Sequence, residues 1–87
     1  MAEEEKRSSR FLLGKTIVTK SGKKFGEVGN LIFDTKTGEL LQMVLKHPTV
    51  FTDALELERD EKSNLLIPCG SIVAIGDYIV VAEEDII

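Results

Sequence analysis

Two glycine-punctuated stretches of this chain, residues 14–45 and 65–82, read as extended segments broken by tight turns, the first with apolar and polar positions alternating along parts of it and the second made of short apolar runs. A period of two is the signature of a strand with one buried face. The β-branched run Thr16-Ile17-Val18-Thr19 suits a pleated surface. Ser21-Gly22 follows as a two-residue turn signal, and Lys20, Lys23 and Lys24 crowd a solvated hairpin tip. In the next run, 25–33, the apolar phase slips. Val28 lies three residues from Leu31, whereas Leu31 and Phe33 are two apart. A regular strand cannot keep all three on one face, so a β-bulge is predicted at Gly29-Asn30. Residues 34–39 read as a longer hairpin connection with Gly38 in the left-handed conformation. Leu41, Met43 and Leu45 then resume strict alternation as one buried set.

The middle stretch, 47–64, carries weaker signals. Pro48 ends the preceding strand or confines its continuation to an edge. Leu55 and Leu57 alternate with Glu56 and Glu58, which favours an exposed strand, with a short helix begun by Thr52 or Asp53 as the competitor. Farther on, 65–67 is a short strand stopped by Pro68. Residues 71–75 form a strand or a single helical turn. Gly76-Asp77 turns the chain into 78–82, a wholly apolar strand expected to be buried on both faces. Five to seven short strands in some 75 ordered residues give an all-β fold, a small closed or nearly closed antiparallel barrel. Residues 1–10 read as a disordered charged tail, 11–82 as the barrel domain, and 83–87 as an acidic and apolar C-terminal tail.

Composition narrows the picture. An 87-residue chain is one domain with a thin core. Small scaffolds compensate with disulfides, a metal or oligomerisation, and Cys69 is the only cysteine and His47 the only histidine. Oligomerisation is therefore the expected compensation. There is no apolar stretch of transmembrane length and no signal-peptide pattern, which points to the cytoplasm and against membrane insertion. A net charge of −4 argues against bulk attraction to nucleic acid.

The residues capable of chemistry are sparse. His47, followed by Pro48, has no cysteine or histidine at ligand spacing. Cys69, within Ile67-Pro68-Cys69-Gly70, lacks a cationic or helix-terminal setting that would activate a thiol. Between 53 and 61 lie five carboxylates against Arg59 alone. Leu57 and Arg59 interrupt any calcium-loop pattern, so a solvated face is the simpler reading. No catalytic, cofactor-binding or metal site is expected. Apolar residues in otherwise polar segments often mark contact surfaces. On that ground the candidate protein-interaction residues are Val50, Phe51, Leu55, Leu57, Ile86 and Ile87.

The run 13–28, Leu13-Gly14-Lys15-Thr16-Ile17-Val18-Thr19-Lys20-Ser21-Gly22-Lys23-Lys24-Phe25-Gly26-Glu27-Val28, resembles the opening hairpin of PRC-barrel domains, the family named for the photosynthetic reaction centre subunit. Asp34-Thr35-Lys36-Thr37-Gly38-Glu39-Leu40 resembles the second hairpin of that family. Ile67-Pro68 and Val73-Ala74-Ile75-Gly76-Asp77-Tyr78-Ile79-Val80-Val81 resemble its closing segment. The short form with a charged N-terminal tail is similar to archaeal PRC-barrel proteins, some of which are adaptors in tubulin-homologue-based cell division. That resemblance implies a non-enzymatic module without cofactor, recruited to the mid-cell division site. Its implied partners are a second copy or a related PRC-barrel protein, as homodimer or heterodimer, and the membrane anchor of the division ring. Asn30 departs from the family, where an acidic residue is common. The alternative is an RNA- or ribosome-associated barrel using Lys15, Lys20, Lys23 and Lys24.

Overall fold

The computed structural model describes residues 10–53, 55 and 57–86. Six strands are formed: β1 (Thr16–Thr19), β2 (Lys24–Phe33), β3 (Leu40–Lys46), β4 (Leu66–Pro68), β5 (Ile72–Ile75) and β6 (Tyr78–Val81). A four-residue helix, α1 (Val50–Asp53), follows β3, and single 3-10 turns occupy Arg10–Leu12, Cys69–Ser71 and Glu83–Asp85. The strands make one sheet in the order β4-β3-β2-β1-β6-β5.

The chain's hydrophobic alternation places the core. Ile17, Phe25, Met43, Ile67, Ile79 and Val81 are fully buried on the inner face, each such side chain contributing roughly 1.5–3 kcal/mol by leaving water. The β1–β2 hairpin turns at Thr19, whose carbonyl accepts the Gly22 N–H at 2.9 Å and whose hydroxyl accepts the Lys23 N–H at 3.0 Å. The β2–β3 connection is an Asx-type turn. Asp34 accepts the N–H groups of Lys36 and Thr37, and Gly38 sits at φ 74°, the left-handed position expected for it.

The predicted bulge is present. Val28 pairs with Leu45 and Asn30 with Val44, leaving Gly29 as the unmatched residue. Three further irregularities were not anticipated: Phe25 against β1, Leu41 against β2 and Val73 against β6 are also unmatched. The bulge at Leu41 corrects one expectation directly. Leu41 is exposed while Met43 and Leu45 are buried, because the extra residue flips its side chain out of the alternating set.

The sheet is mixed, not wholly antiparallel, since β1 and β6 run parallel. The reason lies between β4 and β5. Following the pairing senses around the sheet, β4 and β5 point the same way. They act as one extended segment bent at the 3-10 turn Cys69–Ser71, so β6, folding back on β5, must run with β1. A flat six-stranded sheet would hold its edges about 24 Å apart. The chain from Pro68 to Ile72 spans at most about 14 Å, so the sheet curls on itself. Among the described residues no ladder joins β4 to β5.

Two other expectations change. Among the described residues the expected strand through Leu55 and Leu57 is not formed; just beyond it a lone bridge links Arg59 to Leu65, and the Leu66 N–H reaches the Glu58 carbonyl. The helical competitor forms instead, but starts at Val50, ahead of Thr52 and Asp53. Strand β6 is buried on one face only, for Ile79 and Val81 are in the core while Tyr78 is 57% exposed. The predicted N-terminal tail lies outside the described residues up to position 9, and Arg10 already begins the first 3-10 turn. At the other end Glu83–Asp85 is held down on the β1–β2 hairpin, as described below.

Candidate interaction surface

Helix α1 is placed by two threonines. The Thr52 hydroxyl, fully buried, donates to the Phe25 carbonyl, which also accepts the Thr49 N–H at 3.1 Å. The Thr49 hydroxyl donates to the Lys24 carbonyl at 2.7 Å and lies 3.0 Å from the Thr52 hydroxyl. Phe25 is the unmatched residue of the β1–β2 register, so the bulge presents a carbonyl and the threonines satisfy it. Phe51 then stacks on Phe25 at a centroid distance of 5.5 Å, and the Lys23 ammonium sits 4.6 Å above the Phe51 ring.

This geometry separates the six residues predicted as a contact patch. Val50 is 87% exposed at the start of α1. Phe51, Leu55 and Ile86 are half-buried and packed against the core cluster. Leu57, at 8% exposure, belongs to the core itself and offers no contact surface. Ile87 lies outside the described residues. Alternation of Leu55 and Leu57 suggested one exposed strand face; the absence of that strand sends Leu57 inward.

The lysines of the RNA alternative are largely engaged within the chain. Lys15 donates to the Gly76 carbonyl at 2.6 Å, and Lys20 pairs with Glu84 at 2.7 Å. Hydrogen bonding to Glu84 raises the Lys20 pKa above its ordinary value, and the same bond lowers that of Glu84. Ser21 donates to Glu83 at 2.7 Å beside this pair, so two contacts clamp the C-terminal turn to the hairpin tip. Lys24 is exposed and Lys23 is held over Phe51.

His47 is exposed, adopts φ 53°, and places Nδ1 3.4 Å from Glu27. It borders an open groove of ≈ 920 Å³ whose rim carries Lys46, Glu58, Arg59 and Asp60. Asp60 organises the adjoining turn, accepting the N–H groups of Asn64 and Lys62, and these bonds hold its carboxyl below the usual value. Cys69 is half-buried in the 3-10 turn that joins β4 to β5. Among the described residues no three histidine, cysteine or acidic side chains come together as a metal-ligand group, and no helix is long and apolar enough to cross a membrane.

The exposed apolar surface that sequence reasoning missed lies along β5 and its turn into β6: Val73, Ile75 and Tyr78. A signal was there to be read. Residues 71–76 contain no charge and no alternation, an unusual pattern for a strand that ends on a surface.

With this geometry in view, comparison with known proteins is informative. A family model described as the PRC-barrel domain matches residues 4–85. The chain is also 29% identical over 82 residues to the uncharacterized protein MJ1118 of Methanocaldococcus jannaschii, an alignment covering 94% of this chain and 88% of that protein.

Proposed function

The chain belongs to the PRC-barrel family, and on that premise we propose that it is a non-enzymatic protein-interaction module. In this reading the curled sheet serves as a rigid support. The module is an adaptor in archaeal tubulin-homologue-based cell division, linking the membrane anchor of the division ring to other division proteins. An archaeal relative of matching length is compatible with that setting.

The observation that carries the reading is helix α1. It projects Val50 into solvent while threonine hydroxyls and the Phe25–Phe51 stack fix the helix to the sheet. An apolar side chain on a preorganised support loses little freedom on binding, which is what a docking point requires. Lys23 and Lys24 beside it give the point a cationic rim suited to an acidic partner segment.

Val50→Asp is the direct test, because Val50 packs little and its replacement spares the fold. The variant is expected to lose capture of the purified division-ring anchor in a pull-down and mid-cell localisation of a tagged copy. Unchanged capture would remove α1 as the docking point. A wild-type protein that neither binds the anchor nor localises would remove the adaptor reading altogether.

A further inference from the structure

The tip of the β1–β2 hairpin carries a serine that the docking point at α1 does not use. Ser21 is exposed in the tight turn 19–22. Its hydroxyl donates to a Glu83 carboxylate oxygen at 2.7 Å and lies 2.9 Å from the Thr19 hydroxyl. Beside it Lys20 pairs with Glu84, so one serine and one lysine hold two successive carboxylates of the C-terminal turn. The same turn carries Ile86, packed against the core cluster. Asp85 and Ile86 donate to the Ala82 and Glu83 carbonyls, bonds that shape the turn from within. Among the described residues its polar ties to the hairpin tip are those of Ser21 and Lys20.

We propose that Ser21 is a phosphorylation site whose phosphate unlatches the C-terminal turn. A serine/threonine protein kinase supplies the group from a nucleoside triphosphate. The Ser21 O–H bond breaks, its proton passing to the kinase's base. An Oγ–P bond forms as the γ-phosphorus parts from its bridging oxygen, and nucleoside diphosphate leaves. The hydroxyl stands on a protruding turn, and Lys20, Lys23 and Lys24 give it a cationic flank that complements an acidic kinase groove. The other described serines are poorer acceptors. Ser71 is buried and donates to the Pro68 carbonyl, and Ser63 sits at φ 65° in the turn organised by Asp60. Ser8 and Ser9 lie outside the described residues. Phosphoserine carries a charge of about −1.5 to −2 and has no O–H left to donate. Its contact with Glu83 turns from a hydrogen bond into repulsion, which Glu84 and Asp85 reinforce. Lys20, one residue away, gains a stronger anionic partner than Glu84. Both ties are therefore lost together, while the β1–β6 ladder upstream, Thr16–Thr19 against Tyr78–Val81, is left intact.

The test begins with the full chain purified from its native cells. A glutamate-specific protease releases residues 6–27 as one peptide, and fragmentation in a mass spectrometer should place a phosphoryl group on Ser21. Its absence from both growing and stationary cultures overturns the proposal, as does phosphorylation confined to other positions of the peptide. The effect is read on recombinant chain with phosphoserine incorporated at position 21. Hydrogen exchange of the Ile86 amide should be faster than in the unmodified chain by about 10-fold or more, with the melting point near wild type, and phosphatase should restore it. Ser21→Ala, which loses the bond without gaining the charge, should accelerate exchange less. In Glu83→Gln/Glu84→Gln the phosphate should add little. Unchanged exchange in the phosphorylated chain, or equal acceleration by the phosphate in the glutamine background, overturns the unlatching. Neither readout involves Val50 or the division-ring anchor, so the docking reading stands or falls separately.

Discussion

Gly26→Ala should be among the most damaging small substitutions in this protein. Gly26 lies in β2 opposite Ile17, at φ 153°, in the half of the backbone map that L side chains rarely adopt. A Cβ added there would sit 2.9 Å from the Lys46 carbonyl oxygen, 3.1 Å from that of His47 and 3.1 Å from Leu45 Cγ. Two of these three neighbours are backbone atoms at the end of β3, which cannot swing aside as a side-chain tip would. Relief requires β2 and β3 to separate where Thr49 and Thr52 also anchor α1.

Backbone strain of this kind costs roughly 1–3 kcal/mol, and overpacking in a tight site roughly 1–3 kcal/mol more. The lower entropy of the unfolded alanine chain returns about 0.4–1 kcal/mol. A net loss of about 2–5 kcal/mol follows, a large share of the 5–15 kcal/mol typical of a domain. The control is Gly70→Ala, where an added Cβ meets nothing within 4 Å. Urea unfolding followed by circular dichroism should show a lowered midpoint with unchanged slope for Gly26→Ala and a shift within about 0.5 kcal/mol for Gly70→Ala. Equal effects of the two substitutions would refute the steric argument.

Thr52→Val removes the hydroxyl bond to the Phe25 carbonyl, but that carbonyl keeps the Thr49 N–H; a cost of about 1 kcal/mol should appear as a melting point lower by about 4–8 °C. Backbone N–H bonds, from Thr37 foremost in one case and Asn64 in the other, lower the pKa values of Asp34 and Asp60 below their ordinary 3.8. Their contribution is therefore present above that value and lost as pH falls through the lower folded-state values, so the melting advantage of wild type over Asp34→Asn/Asp60→Asn should shrink in an acid titration. Lys20 has the opposite sign: its pKa is raised from 10.5, so its pairing with Glu84 persists below that pH and fades as pH rises through the higher folded-state value. Glu84→Gln should accelerate hydrogen exchange of the Ile86 amide, which donates to Glu83 within the clamped turn, without lowering the melting point appreciably; unchanged exchange would show that the turn holds without the clamp.

Local features of this fold were the most legible in sequence. The phase slip around Val28 and Leu31 located the Gly29 bulge because a period-two pattern tolerates no other remedy. The positions of Gly22 and Gly38 announced turns for the same local reason. The non-local features were not accessible in that way. Whether β6 runs parallel or antiparallel to β1 depends on how Cys69–Ser71 bends the segment between two strands, and no periodicity in 78–82 encodes it. Leu57 reads identically as an exposed-strand residue and as a core residue until Arg59 pairs with Leu65 and pulls the loop inward. At α1 the deciding groups were the hydroxyls of Thr49 and Thr52, whose partners are carbonyls of β2 more than twenty residues earlier. Of the predicted contact residues, exposure singles out Val50 because the same bonds turn Phe51 toward Phe25.

The bend between β4 and β5 also bears on why β5 has an open edge. A six-stranded sheet that curls far enough to bring its ends within reach of one three-residue turn could in principle seal itself with a last ladder. Here the two end strands are successive parts of one segment pointing the same way, and the turn offsets them along their length, so they meet end to end at Cys69–Ser71. The 57–60 stretch then lies along the outer side of β4, through Arg59–Leu65 and the Glu58 carbonyl. No described segment does the same for β5. The connectivity that makes β6 parallel to β1 thus leaves, among the described residues, the β4 edge covered and the β5 edge uncovered.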